Sequence, residues 1–385
     1  MEKMVIYLDN ANTTKPDPEV IKVMLEYLQE KYGIPGGEFG HIFDEEAREA
    51  VEEARERIAK RINASPDEII FVSDETEADN LAIKGIAWSK EKGKVLTSKI
   101  ERKAILNTVR RLKDWGFDTY EVSVDREGFI NLEDLQSNLE DAILFATHLG
   151  NFEIGTIQDI KAIYEIVHDK DALLYLDANH AFGKVKIDVK KLDVDLMSIT
   201  SHLIHGPKGI AALYIRDGIK LKPLFDGDVR EKGIRPGMIN VPAIAGFGKA
   251  VELINYDDSK RMARLRDKLI DLLLSIPDTK LNGPRGDKRL PDNVNVSFAY
   301  VEGESILLHC DLRGLVFSTG SACYSQELLP SHVIRAIGGS FEDAHGSVRL
   351  SLSKWTTEDE IVKAYEIIRN VVEKLREISI YGGKK

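Results

Sequence analysis

Cysteine is scarce in this chain, and long apolar runs are missing. Its 385 residues include two cysteines, Cys310 and Cys323, which are too few for a disulfide framework. No apolar stretch approaches the roughly 20 residues that a membrane-spanning helix needs. The first residues, Met1 to Asn12, carry charge on both sides of a short apolar run, unlike a signal peptide. We therefore expect a cytoplasmic protein that does not bind or enter membranes.

Positive charge is also in the minority. Lys and Arg number 53 against 64 Asp and Glu, so the formal net charge is -11. This balance argues against nucleic acid or an anionic membrane surface as the main partner. The apolar content of 43% and the charged content of 30% are typical of a globular protein, and the length allows two domains.

Apolar strand patterns alternate with helical patterns over the first 250 residues. Apolar side chains between 45 and 61 recur at helical spacing and predict an amphipathic helix. The alternation predicts an α/β fold, a three-layer sandwich with a mainly parallel sheet covered on both faces. Beyond residue 250, long charged helices flank two strand patterns, which indicates a smaller α+β domain. We predict a large domain at 15–250 and a small domain formed by 1–14 with 251–385.

The segment from Met197 to Gly209, MSITSHLIHGPKG, is the most informative stretch. It predicts a buried strand that runs into a loop with two histidines, two hydroxyls and a Gly-Pro-Lys-Gly turn. In α/β sheets, loops at the carboxyl ends of strands are where ligands bind. We therefore expect the functional site here.

Several motifs in order resemble those of the cysteine desulfurases, pyridoxal-phosphate (PLP) enzymes of the class V aminotransferase group. The resemblance covers nearly the whole chain and implies the large domain of PLP transferase fold type I, a homodimer, and a role in sulfur transfer or iron–sulfur cluster assembly. The motifs that carry it are YLDNANTT, FVSDETEADNLAIKG, GNFEIGTIQDI, DANH, STGSAC, LPSHV and HGSVRLSLS.

In the loop that follows the predicted strand, this chain departs from the family motif. The family has Ser-Gly-His-Lys in the loop, and its lysine holds PLP as a Schiff base and moves the substrate proton. This chain has Leu203 at the lysine position, and leucine has no titratable atom. Lys208 corresponds to a different family lysine, so we do not expect it to substitute.

The resemblance also implies which residues contact the cofactor ring. Asp177 corresponds to the carboxylate that keeps the pyridine nitrogen protonated. His180 stands where the family has a glutamine near the phenolate oxygen. Arg102 replaces the stacking histidine, and Phe152 replaces an asparagine that bonds the phenolate.

The phosphate pocket is altered as well. Thr76, Ser201 and His202 are the expected remnants of its donors, whereas Asp74 and Glu75 bring carboxylates to the position of the family's Gly-Ala. The loop that reaches the neighbouring subunit's phosphate in the family lacks its threonine here. PLP, if it binds, would be held non-covalently through these donors with Asp177 and His180.

The sulfur-handling residues match the family. Cys323 corresponds to its persulfide-carrying cysteine, and Arg349 to the arginine that grips the substrate carboxylate. Cys310 lies in an apolar helical pattern and is expected to be an inert core residue. Cys323 is also a candidate ligand for an iron–sulfur cluster shared with a partner.

Three functions stay open from these residues. The first is a desulfurase-like protein without ordinary PLP-dependent desulfuration, in which Cys323 carries a persulfide or binds a cluster together with an iron–sulfur scaffold protein or another sulfur acceptor. The second is an active cysteine desulfurase that holds PLP non-covalently. The third is a non-catalytic regulatory partner of an active paralogue. The nine histidines show no spacing typical of a metal enzyme.

Overall fold

A computed structural model describes residues 5–36, 40–320 and 330–378. The strands of this described part are β1 Ile6–Tyr7, β2 Ile69–Val72, β3 Lys94–Ser98, β4 Asp118–Val122, β5 Ala142–His148, β6 Leu173–Asp177, β7 Leu196–Thr200, β8 Ala211–Ile215, β9 Thr279–Leu281, β10 Asn293–Phe298, β11 Leu315–Val316, β12 Ser318–Thr319 and β13 Ser347–Ser351. The α-helices are α1 Pro18–Gln29, α2 Ile42–Ile62, α3 Glu75–Lys90, α4 Lys103–Arg111, α5 Leu132–Asn138, α6 Ile160–His168, α7 Val189–Leu192, α8 Val241–Glu252, α9 Tyr256–Leu274, α10 Gly303–Asp311, α11 His332–Ala336, α12 Phe341–His345 and α13 Glu358–Ile378.

A seven-stranded sheet in the order β2-β8-β7-β6-β5-β3-β4 forms the middle layer. Strands β7, β6, β5, β3 and β4 pair in parallel, and β8 runs antiparallel to both of its neighbours. Alternate residues of each strand enter different cores. In β2, Ile69 and Phe71 pack on the side of α2 and α8, whereas Ile70 and Val72 pack on the side of α3 and α4. The predicted three-layer α/β fold with a mostly parallel sheet is confirmed.

A second sheet, β12-β13-β10-β9, packs against α9, α10 and α13 around a separate apolar core. The N-terminal strand β1 joins this region by pairing in parallel with β11, and Asp9 bridges to Ser351. The domain boundaries given above remain predictions. The short helix α5, the helix α8 and the edge strands β9, β11 and β12 were not predicted.

Helix α3 begins five residues earlier than the sequence pattern predicts. Asp74 caps it by accepting a hydrogen bond from the backbone N–H of Glu77. The sequence pattern predicts this helix over 80–90, but the acidic Asp-Glu-Thr-Glu segment favours an earlier start, because acidic residues are favourable in the first turn of a helix. As a consequence, Glu75 lies at the helix N-terminus, facing the end of β7.

Helix α2 is close to its predicted range and packs Ala47, Val51, Ala54 and Ile58 into the core. It ends where Asn63 adopts a left-handed conformation with φ 60°. Among the helices of the described residues, none has the length and apolar character that crossing a membrane requires.

Substitution of Leu350 tests the packing of the apolar core around the second sheet. Its side chain is fully buried in β13, so Leu350→Ala removes apolar contacts and leaves a cavity. We expect the free energy of unfolding to fall by about 2–5 kcal/mol, measured by chemical denaturation. Leu308→Ala on α10 is the matched control because Leu308 is 63% exposed, and it should change stability by less than about 0.5 kcal/mol. Equal losses for the two variants would contradict this packing.

Candidate active site

The carboxyl ends of β5, β6 and β7 lie side by side, because His148 pairs with Asp177 and Asp177 with Ser198 in the parallel ladder. The loop after β7 carries His202 and Leu203 to the same edge of the sheet. The helix starts of α3 and α4 add Glu75 and Arg102. The strand ends of the sheet, where ligands bind in such folds, therefore bring Asp177 and His202 to one edge.

The guanidinium of Arg102 lies between two buried carboxylates. Its Nε donates to Asp177 Oδ2 at 2.6 Å and its Nη2 donates to Asp79 Oδ2 at 2.6 Å. Burial would lower the pKa of Arg102, but the charges of Asp177 and Asp79 outweigh it and raise the pKa well above its usual value. Arg102 is therefore a fixed cation, and it pairs with Asp177 instead of being free to stack on a ring.

The remaining oxygens of both carboxylates are occupied. Asp177 Oδ1 accepts from the backbone N–H of Asn179 at 2.9 Å and from its side-chain amide at 2.6 Å. Asp79 Oδ1 accepts from the hydroxyl of Tyr175 at 2.5 Å, and this hydroxyl also lies 2.9 Å from Ser198 Oγ. Burial raises the pKa of Asp79 well above its usual value, with Arg102 opposing that effect. The network leaves both oxygens of Asp177 with partners from the chain itself.

Glu75 occupies the region where phosphate donors were expected. Thr200 Oγ1 donates to its Oε2 at 3.1 Å, and His202 Nε2 lies 3.3 Å from both carboxylate oxygens. Arg102 Nη1 lies 3.9 Å from Glu75 Oε1. Burial would raise the pKa of Glu75, but the hydrogen bond with His202 and the charge of Arg102 outweigh it and lower the pKa to about 2.

The other expected phosphate donors do not join this group. Thr76 is exposed in the first turn of α3. The hydroxyl that faces Glu75 is that of Thr200, one residue before the predicted Ser201, whose Oγ is buried with no partner among the described residues. His205, which lies in the same loop after β7, donates from Nδ1 to the carbonyl of Lys15 at 2.9 Å and packs on Trp355.

Leu203 is 3% exposed and lines a cavity with Lys184. The ammonium of Lys184 is 2.5 Å from Asp292 Oδ2, and both side chains are buried. Lys184 is thus an amine bordering the same cavity as Leu203, although a carboxylate already holds it. Lys184 was not predicted from the sequence; its place four residues after His180, the end of the Asp-Ala-Asn-His segment, was the available signal.

Arg349 lies on β13 and is 4% exposed. Its Nη2 donates to Asn12 Oδ1 at 2.7 Å and its Nη1 donates to the carbonyl of Phe152 at 3.2 Å. Its Nε is buried and, within the described chain, has no hydrogen-bond partner. Nη2 also lies 3.5 Å from Asp9 Oδ1. The role of Arg349 in binding a substrate carboxylate stays a prediction.

His180 is nearly buried, and burial lowers its pKa well below the usual value, so it is neutral. The ring of Phe152 lies 6.2 Å from that of His180 and 6.3 Å from that of His332. An aromatic group thus fills the place where the resemblance implies an amide donor.

Cys323 lies outside the described residues. On either side of that gap, Ser331 Oγ donates to Glu153, and Glu153 Oε1 closely approaches Gly320. Burial raises the pKa of Glu153 to about 7. Cys310 is fully buried in α10, and burial raises the pKa of its thiol to about 12, as expected for an inert core cysteine. Among the residues described, no group of three or more His, Cys, Asp or Glu side chains is arranged to hold a metal ion.

Comparison with known proteins identifies the family. Residues 6–363 match the model of the family described as aminotransferase class-V. This chain belongs to that family. It is 46% identical to the cysteine desulfurase IscS of Dictyoglomus turgidum over 386 residues, which covers 98% of this chain and 97% of the relative. It is 43% identical to the cysteine desulfurase IscS 1 of Archaeoglobus fulgidus, covering 97% of this chain and 98% of that protein.

Solved structures agree with this assignment. A NifS-like protein superposes with a TM-score of 0.90 at 34% identity and covers 96% of this chain and all of its own. SspA in complex with cysteine superposes with a TM-score of 0.81 at 32% identity, covering 91% of this chain and 99% of its own. The central sheet and its covering helices are therefore those of PLP transferase fold type I.

PLP is the cofactor expected for this family, and the side chains at the site can be tested against it. Asp177, the expected partner of the ring nitrogen, is already paired with Arg102. Glu75 brings a carboxylate among the donors expected for the phosphate, where like charges repel. Leu203 offers no amine. The described residues therefore do not fit PLP in the way the resemblance implies.

Glu75 gives the site a measurable acid sensitivity. Its pKa falls from 4.5 to about 2 in the folded protein, so its contribution to stability is present above pH 4.5 and is lost as the pH falls toward 2. That shift corresponds to roughly 3 kcal/mol. We expect Glu75→Gln to be less stable than the wild type at neutral pH and the difference to disappear on acidification.

Denaturant unfolding between neutral pH and the lowest pH at which the protein still folds measures this effect. Glu366→Gln is the matched control, because Glu366 is an exposed glutamate on α13. It should follow the wild-type pH profile. A constant difference between Glu75→Gln and the wild type at every pH would contradict the assigned ionisation of Glu75.

Proposed function

We propose that this chain acts in sulfur transfer for iron–sulfur cluster assembly without ordinary PLP-dependent desulfuration. The observation that carries the proposal is the pairing of Arg102 with Asp177, because it occupies the carboxylate on which cofactor chemistry would depend. The names of the relatives, cysteine desulfurases, support the sulfur-transfer setting. Leu203 supports the loss of the Schiff-base step.

In this proposal the thiol of Cys323 is the reactive group. It would receive a sulfane sulfur from a persulfide donor: its thiolate attacks the outer sulfur, a new S–S bond forms, and the donor leaves as a thiolate. It would then pass that sulfur to an iron–sulfur scaffold protein or another acceptor, or serve as a cluster ligand at their interface. Arg349 would bind an anionic group of the donor.

We also propose that the protein is a homodimer. Along α1, Ile21, Leu25 and Leu28 are 40%, 46% and 58% exposed and recur at helical spacing. Nearby, Leu28 lines one shallow groove with Tyr32 and Met238. A continuous exposed apolar stripe of this kind supports burial against a second subunit. The cytoplasm remains the predicted location.

A cluster-transfer assay tests the role of Cys323. The chain, a scaffold protein, ferrous iron and a persulfide donor are combined, and cluster formation is followed by absorbance. We expect Cys323→Ser to slow assembly at least about tenfold, because a hydroxyl neither carries sulfur nor ligates iron as a thiolate does. Cys310→Ala is the matched control and should behave like the wild type, because Cys310 is buried in α10. Wild-type rates for Cys323→Ser would contradict the proposal.

The second candidate is an active cysteine desulfurase that binds PLP non-covalently. The relatives' names favour it, and Lys184 supplies a buried amine at the cavity that Leu203 lines. Incubation of the wild type with PLP and L-cysteine decides between the two. Sulfide release that disappears in Lys184→Ala and in Arg349→Ala would establish this candidate, whereas we expect none from the wild type. Co-purification with a lysine-bearing paralogue would instead favour the regulatory role.

A further inference from the structure

Two charged side chains lie where the charged ends of the cofactor would be expected. Asp177 corresponds to the partner of the pyridinium nitrogen, and the guanidinium of Arg102 is bonded to it. Thr200 ends β7 and His202 follows it at the expected phosphate position, and the carboxylate of Glu75 is hydrogen-bonded to both. The signs of the charges are preserved at both ends, with a cation facing Asp177 and an anion facing His202.

We infer that Arg102 and Glu75 replace the two charged ends of PLP, so that this pocket is filled and stabilised by the chain's own side chains. Leu203 then completes the replacement, because an apolar side chain takes the place of the amine. Arg102 and Glu75 would act in this way whatever the role of Cys323. The prediction is a pocket that needs no cofactor for folding and that resists PLP even when a lysine is restored.

The burial of the carboxylates supports this inference. Asp177 and Asp79 are 3% and 0% exposed, and two buried carboxylates without a nearby cation would be strongly unfavourable. Arg102 reaches both through separate nitrogens, which a planar guanidinium can do and a single ammonium cannot do as well. Binding of PLP in the family's manner would require the guanidinium of Arg102 to leave Asp177.

The two ends are also linked to each other. Arg102 Nη1 lies 3.9 Å from Glu75 Oε1, so the charges alternate from Asp177 through Arg102 to Glu75, which also contacts His202. The side-chain exposure of Arg102 is 16% and that of Glu75 is 20%, so solvent screens this chain of charges only in part. Restoring one family residue would leave the other substitutions in place.

Substitutions toward the family residues test the inference. Each variant is incubated with excess PLP, passed through a gel-filtration column and assayed for retained PLP and for Tm. We expect the wild type and Leu203→Lys to retain none and to show no Tm shift with PLP. The triple variant Leu203→Lys, Arg102→His, Glu75→Ala should bind PLP at least about tenfold more tightly than Leu203→Lys and gain Tm on binding.

Retention of PLP by the wild type or by Leu203→Lys would overturn the inference, because Arg102 and Glu75 would then be no barrier. Equal affinities of Leu203→Lys and the triple variant would overturn it as well. If the triple variant does not fold, Leu203→Lys with only Glu75→Ala or only Arg102→His takes its place, and tighter PLP binding than Leu203→Lys alone is again the expected result.

The Tm of the PLP-free protein is a second measurement that tests the inference. Asp177→Asn leaves Arg102 with one carboxylate fewer, and we expect Tm to fall by more than about 5 °C in PLP-free protein. Arg110→Ala on α4 is the control: Arg110 makes a partly exposed ion pair with Glu121, and its loss should lower Tm by less than about 2 °C. An unchanged Tm for Asp177→Asn would overturn the structural role assigned to Arg102.

Discussion

The site depends on one guanidinium held between two buried carboxylates. Asp177 and Asp79 come from different elements, β6 and α3, and each would be unstable as an unpaired charge in the interior. Arg102, at the start of α4, compensates both and thereby ties the edge of the sheet to the two helices that cover it. Because this cation belongs to the chain, no external group is needed to satisfy Asp177.

Membership of the class-V aminotransferases is clear from nearly the full length of the chain, and the relatives are cysteine desulfurases. The motif resemblance implies that positions which depart from the family lie where PLP would bind. Leu203, Arg102 and Glu75 lie on three separate segments that converge at the ends of β6 and β7. Their convergence in space is the reason for our proposal that the scaffold has a changed use.

The fold could be predicted because periodicity and strand–helix alternation are local properties of the sequence. The sequence pattern predicts strands at 94–98, 173–177, 196–200 and near 293–298, and β3, β6, β7 and β10 have these ranges. Asp177 and His202 do lie at the same sheet edge. The charge network could not be predicted, because Arg102 meets Asp177 across 75 positions and Glu75 meets His202 across 127. Asp79 gave only the weak signal of a charge among apolar neighbours in α3.

The most direct measurement is the PLP content of the purified wild-type protein after expression with excess PLP. The protein is denatured, and the released cofactor is quantified against the protein by its absorbance. Our account predicts essentially no PLP in a fully folded protein, because Arg102 and Glu75 already fill the pocket. Folded protein that carries one PLP per chain would contradict it and would restore the active desulfurase as the better description.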